Sequence, residues 1–162
     1  MAELNEPNPF SAENLETWSS LATILEWLPA ALDAQLEADS GITHFEYGIL
    51  FALANAPELT LRMSVLASYA NSSLSRLSRA TKRLEARDLL SRRPDPKDGR
   101  YTLATLSPGG LDQFRQATPG HVRTVHRLVL DPLTKKQKIQ LRDISRRIQG
   151  AIREESGWQP TS

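Results

Sequence analysis

Apolar residues recur at steps of three and four along most of this chain, and the breaks in that rhythm mark out its elements. The first helix starts at Ser11, with Glu13 and Glu16 near its positive end. Trp18, Leu21, Leu25, Leu28, Leu32 and Leu36 then form a narrow stripe at nearly heptad spacing. Pro29 predicts a kink or a division, because it has no N–H to donate and crowds the preceding turn. Asp39-Ser40-Gly41 closes the element. Thr43-His44-Phe45-Glu46 is a capping-box pattern, and the helix it opens carries Phe45, Ile49, Leu50 and Leu53 before Pro57 bars continuation. Leu59-Thr60-Leu61 is a candidate for a very short strand.

Beyond it, "RMSVLASYANSS" predicts a short helix ending near Ala67, a turn, and a new helix capped by Ser72 or Ser73. "LLSRR" and "YTLATL" are two strand candidates around "PDPKDG", which is too long for a two-residue hairpin turn and predicts a projecting loop. Ser107-Pro108 is a cap followed by proline at the first helical position. A long helix runs from 108 to about 130, bent near Pro119-Gly120, until "DPLT" breaks it. Thr134-x-x-Gln137 caps a last helix with the stripe Leu141, Ile144, Ile148 and Ala151. Residues 1–10 and 156–162 read as loose ends. The order is helix, helix, short strand, helix, helix, hairpin, helix, helix.

The formal charge over 162 residues is only +1, but its distribution is uneven. Residues 72–100 hold nine basic side chains (Arg76, Arg79, Lys82, Arg83, Arg87, Arg92, Arg93, Lys97, Arg100) against four acidic ones, a local balance of +5. Such a concentration points to an anionic partner. On a wheel of about 100° per residue, Leu74, Leu77, Thr81 and Leu84 share a stripe that should be buried. Ser72, Arg76, Arg79 and Arg83 share another, roughly 150° away. A short helix, a turn and this basic helix give the helix-turn-helix order, and a cationic hairpin tip beside it makes a winged helix. The competing reading of the helix alone is a solvated basic face.

The stretch "LSRLSRATKRLEARDLLSRRPDPKDGRYTLATLSPGG" resembles the MarR family of bacterial winged-helix transcription regulators, over roughly residues 20–152. Its most specific match is Asp98-Gly99-Arg100, followed by strand, Leu106-Ser107 and Gly110; Leu84-Glu85 matches a pair before the wing. The resemblance implies that Arg100 reaches DNA and Asp98 braces the wing. One departure is Asp88, where the family usually ends its recognition helix with glycine; aspartate tolerates the left-handed conformation better than most residues. The fold expected is mainly α with a small β-hairpin wing, a single MarR-like domain over 1–162. Within it, 43–106 form the DNA-binding lobe and 11–38 with 108–152 form dimerisation helices, although the same stripes would also fit an intramolecular bundle.

The function expected is a homodimeric, sequence-specific regulator, a repressor of a palindromic site in double-stranded DNA. The DNA-binding set is Ser72, Ser73, Ser75, Arg76, Arg79, Lys82, Arg83, Lys97, Asp98 and Arg100. A winged-helix protein-interaction module that has lost DNA affinity is the alternative. The resemblance also implies a crevice for a small aromatic ligand near His44, with Trp18, Trp27 and Tyr47 as candidate lining; ordinary core or interface packing of these aromatics is the reading favoured.

No enzyme, metal or cofactor motif is apparent. His121 and His126 lie five apart, about 140° round a helix, and share no ligating face. There is no cysteine for a disulfide, a thiolate site or thiol sensing. The start of the chain is unlike a signal peptide and no apolar run approaches membrane-spanning length, so a cytoplasmic protein without membrane partners is expected.

Overall fold

The computed structural model describes residues 10–156, so most of both loose ends, 1–9 and 157–162, lies outside the described residues. The chain divides into two units, one ending at Ala31 and the other beginning at Leu32. Helix α1 (Ala12–Ser40) starts in the first, with Ser11 Oγ accepting from Asn14 N at 3.2 Å as its cap. Pro29 does not divide it: one helix runs through that position. Within the first unit Leu15, Trp18, Ile24, Leu25 and Trp27 are exposed.

The second unit begins with the end of α1, where Leu32 and Leu36 are buried and Gly41 turns the chain at φ +63°. Helix α2 (His44–Ala54) opens with both halves of the capping box: Thr43 Oγ1 accepts from Glu46 N, and Glu46 Oε2 from Thr43 N. A 3₁₀ turn (Pro57–Leu59) follows, so Leu59 belongs to the turn and strand β1 runs Thr60–Arg62. Helix α3 (Met63–Tyr69) reaches two residues further than the sequence suggested. Helix α4 (Leu74–Glu85) is capped by Ser73, whose Oγ accepts from Arg76 N at 3.2 Å. Asp88 ends this region at φ +57°, the left-handed conformation expected of it.

Strands β2 (Leu90–Asp95) and β3 (Asp98–Leu106) are longer than expected, and the projecting loop is absent. Asp95 pairs with Asp98 across a two-residue turn, Pro96-Lys97. The strand accommodates Pro94 because β2 is an edge of the sheet, whose order is β1-β3-β2, and the register shifts between Pro94 and Asp95. Helix α5 (Pro108–Val125) contains Pro119 without ending there; the irregularity falls later, as a π-helical stretch over His126–Leu130. Helix α6 (Lys135–Ser156) follows the Thr134/Gln137 cap.

The core gathers Leu36, Ile49, Leu50 and Leu53 with Leu66 of α3, Leu77 and Leu84 of α4, and Leu90, Ala104 and Leu106 of the sheet. Helix α4 buries Leu77, Ala80, Thr81 and Leu84, and the Thr81 hydroxyl is satisfied by donating to Leu77 O at 3.0 Å. Leu74, expected on this face, is 57% exposed. The buried arc is centred on Leu77 and Leu84 with Ala80 and Thr81 at its two margins, and Leu74 falls beyond the Thr81 margin.

Gly110 has a packing reason. It lies at the third position of α5, under Ser107 Oγ at 2.9 Å, and a Cβ there would overlap the Leu89 carbonyl oxygen. Gly110→Ala should therefore lower stability by about 1–3 kcal/mol in urea unfolding, whereas Gly99→Ala, with open space around it, should leave the midpoint nearly unchanged.

Candidate nucleic-acid interface

The three sides of α4 away from the core differ because α2 flanks one, the sheet flanks another and the third faces solvent. Directly opposite its buried face stand Ser75, Arg79 and Lys82, all exposed. Toward α2 lie Arg76 and Arg83. The Arg76 guanidinium sits 4.2 Å from the Phe45 ring centroid, and Arg83 Nε donates to Glu46 Oε1 at 2.9 Å. Toward the sheet lies Glu85, which accepts from Arg92 N, Nε and Nη2 at 2.9, 3.0 and 2.6 Å. The outward face is therefore rotated from the expected Ser72/Arg76/Arg79/Arg83 stripe toward Ser75 and Lys82.

The wing is held by two further carboxylates. Asp95 is buried, yet accepts from Arg62 Nε and Nη2 at 2.9 and 2.7 Å and from Lys97 N at 2.9 Å. Arg62 also lies 4.4 Å from the Tyr101 ring centroid, so one side chain joins β1 to both strands of the hairpin. Asp98 accepts from Arg100 N and from its guanidinium at 2.7–3.2 Å, and Arg100 nevertheless remains 84% exposed. The bracing aspartate thus acts on the arginine itself as well as on the backbone of the turn.

Hydrogen bonding from the Arg100 side chain and backbone holds Asp98 below the usual aspartate value. For Asp95 the largest cause is the Lys97 amide, aided by Arg62 and opposed by burial. The Arg92 guanidinium lowers Glu85 in the same way.

These contacts divide the basic cluster. Arg83, Arg92 and Arg100 are ion-paired, and Arg87 Nη1 donates to Gly41 O at 2.7 Å. Arg79, Lys82, Arg93 and Lys97 make no ion pair among the described residues. Of the serines expected at the site, Ser73 is spent on its own helix end, Ser72 Oγ donates to Ser73 O at 3.2 Å, and Ser75 is exposed. Sequence reasoning missed Arg62, Glu46 and Glu85 as partners; Leu84-Glu85 as a motif was the available signal for the last.

A concavity of about 510 Å³ lies between α2 and the end of α5. His44 and Tyr47 line it, together with Phe51, His121 and His126. Tyr47 Oη and Thr118 Oγ1 are 3.1 Å apart, and the His121 ring centroid stands 4.4 Å from that of Tyr47 and 5.4 Å from that of His44. Burial, with the charge of His44, pushes His121 below the ordinary histidine value. Trp18 and Trp27 are exposed in the first unit. No group of three or more His, Asp or Glu that could hold a metal occurs among the described residues, and no described helix is long and apolar enough to cross a membrane.

The MarR family model matches residues 40–100. The chain is 38% identical to Sco3205, a MarR family transcriptional regulator from Streptomyces coelicolor solved in complex with DNA, with a TM-score of 0.87 over 91% of this chain and 92% of that one. It is 28% identical to AbsC, a MarR family transcriptional regulator of the same organism, with a TM-score of 0.86 over 91% and 99% of the two chains. A mutant of MarR from Escherichia coli, solved with operator DNA, shares the fold at 19% identity and a TM-score of 0.74, over 87% and 99%. No curated protein matches the chain. The chain belongs to the MarR family.

The lowered aspartates carry a sign. A carboxylate whose pKa is lower in the folded state adds stability that is complete above its ordinary value, here 3.8, and is lost as pH falls below it. The side-chain carboxyl carbons of Asp95 and Asp98 should titrate below 3.8 by NMR. Arg62→Ala should raise the Asp95 midpoint and, to a smaller extent, that of Asp98, which the Arg62 charge also lowers; Arg100→Ala should raise the Asp98 midpoint and leave that of Asp95 in place.

Proposed function

We propose that this MarR-family chain is a sequence-specific regulator of transcription that binds double-stranded DNA as a homodimer on a palindromic operator, and represses until a small ligand releases it. The observation that carries the reading is one exposed surface on which Ser75, Arg79 and Lys82 of α4 stand beside a wing whose Arg100 is braced by Asp98. A helix face with uncommitted cations suits the major groove, and an arginine at a hairpin tip suits the electronegative minor groove. The 38% identical relative solved with DNA supports carrying that partner to this chain. A protein-binding module would have no use for unpaired cations on this face.

Residues 43–106 serve as the DNA-binding lobe, and 11–38 with 108–152 as dimerisation helices. The support for the second assignment is apolar surface left uncovered within each segment: Leu25 and Trp27 in α1, and Leu141, Ile144, Ile148 and Ile152 in α6, which buries none of its described residues. Light scattering at micromolar concentration should return a dimer mass; a monomer mass would remove this part of the reading. The concavity at His44 and Tyr47 is the candidate seat of an aromatic carboxylate, whose apolar body the Phe51 side would cover.

Fluorescence anisotropy with duplex taken from upstream of the coding sequence tests the DNA contacts. Arg79→Ala should cost about 1–3 kcal/mol on the preferred site and relax discrimination at one base pair per half-site. Arg100→Ala should weaken all sequences alike and flatten the log–log salt dependence by about one per protomer. No change in either variant would remove this surface from the DNA contact.

A further inference from the structure

Leu74 is an exposed apolar side chain at the start of a helix whose outward positions carry hydroxyls and cations. It is the first residue of α4, directly after the cap Ser73, and 57% of it is exposed. It borders a groove of about 280 Å³ between α4 and the wing, whose walls also include Met63, Ser78, Arg92, Arg100 and Tyr101. The buried core does not include it, and more than half of its surface stays open beside Met63 and Tyr101. An exposed leucine in the first turn of this helix therefore asks what covers it.

The major groove offers one apolar group on its base edges, the C5-methyl of thymine; its other features there are hydrogen-bond donors and acceptors. Residues at the N-terminus of a recognition helix are those that reach the base edges. Leucine pressed against guanine O6 or the cytosine amino group would strip water from a polar atom and return no hydrogen bond. Against a methyl group it removes two apolar surfaces from water together. Ser75, next along the chain, and Arg79 supply the polar contacts to neighbouring bases.

Resting on the DNA-binding reading above, we infer that Leu74 is a specificity-determining residue that selects thymine at one fixed position of each half-site through its C5-methyl group. The exposed Arg100 on the wing side of this groove lets the backbone of the same strand run along the wing, which keeps the leucine against the base edge.

Replacing thymine by deoxyuridine removes the methyl and leaves the pairing edge intact. Duplexes enriched by the protein from a random-sequence pool are remade with each thymine replaced in turn. The wild-type protein should lose about fourfold in affinity at one thymine per half-site, the equivalent of one buried methyl group. Leu74→Ala should bind the thymine and deoxyuridine duplexes equally, and Leu74→Met, which keeps an apolar side chain, should retain the preference. Circular dichroism melting of both variants, expected to match the wild type because the side chain is exposed, separates recognition from folding. Equal losses in wild type and Leu74→Ala at every thymine, or no loss in the wild type, overturn the assignment while leaving DNA binding intact. If the wild-type protein enriches no duplex, the DNA-binding reading falls and the role of Leu74 with it.

Discussion

Glu85, in the last turn of α4, grips Arg92 on β2 through three hydrogen bonds, two from the guanidinium and one from the backbone. This attachment fixes how far the helix stands from the hairpin. Two flanking contacts extend it: Arg62 ties β1 to the buried Asp95, and Asp98 holds Arg100 at the turn. On the proposed reading, with helix and wing in two grooves at once, that spacing is needed before binding, since ordering it on contact would cost affinity. Exposed ion pairs generally add little to stability. These instead define geometry: the guanidinium groups of Arg92 and Arg100 each engage one carboxylate through both Nε and Nη2, and all three carboxylates also accept from backbone amides.

The same contacts explain why so much positive charge gathers in a nearly neutral chain. Charge counting in residues 72–100 suggested one cationic surface. The structure separates arginines that hold the lobe together from those facing outward. Arg83 and Arg87 fasten α4 and its exit to α2 and Gly41, and Arg92 fastens the wing. Arg79 and Lys82 are left on the face opposite the core. Arg100 has both duties, paired with Asp98 yet largely exposed.

Local chemistry was legible in the sequence. The Thr43/Glu46 and Thr134/Gln137 boxes, the Ser107-Pro108 start and the left-handed Asp88 all depend on residues within four positions of one another, and each appears as expected. The wing was recognised but its length was misjudged, because Pro94 at a register shift on an edge strand tolerates pairing that a central strand would not. Long-range pairs were invisible: Arg83 and Glu46 are 37 positions apart, Arg62 and Asp95 33. The rotation of the outward face follows from the same blindness, since a wheel orders residues around an axis without saying which neighbour covers which arc. The buried arc reaches Ala80 at one margin and stops short of Leu74 at the other, which leaves an apolar residue exposed beside the wing.

The central claim is that braced and outward-facing arginines of this lobe are different populations. Nitrogen-15 NMR of the arginine side-chain Nε–H groups, recorded as operator duplex is added, reads this directly. The account predicts that Arg79 and Arg100 shift or exchange more slowly with solvent on binding, while the signals of Arg83 and Arg92, already held by Glu46 and Glu85, stay where they are. Equal displacement of all four would contradict it, because the carboxylate contacts would then give way to phosphate and fix nothing.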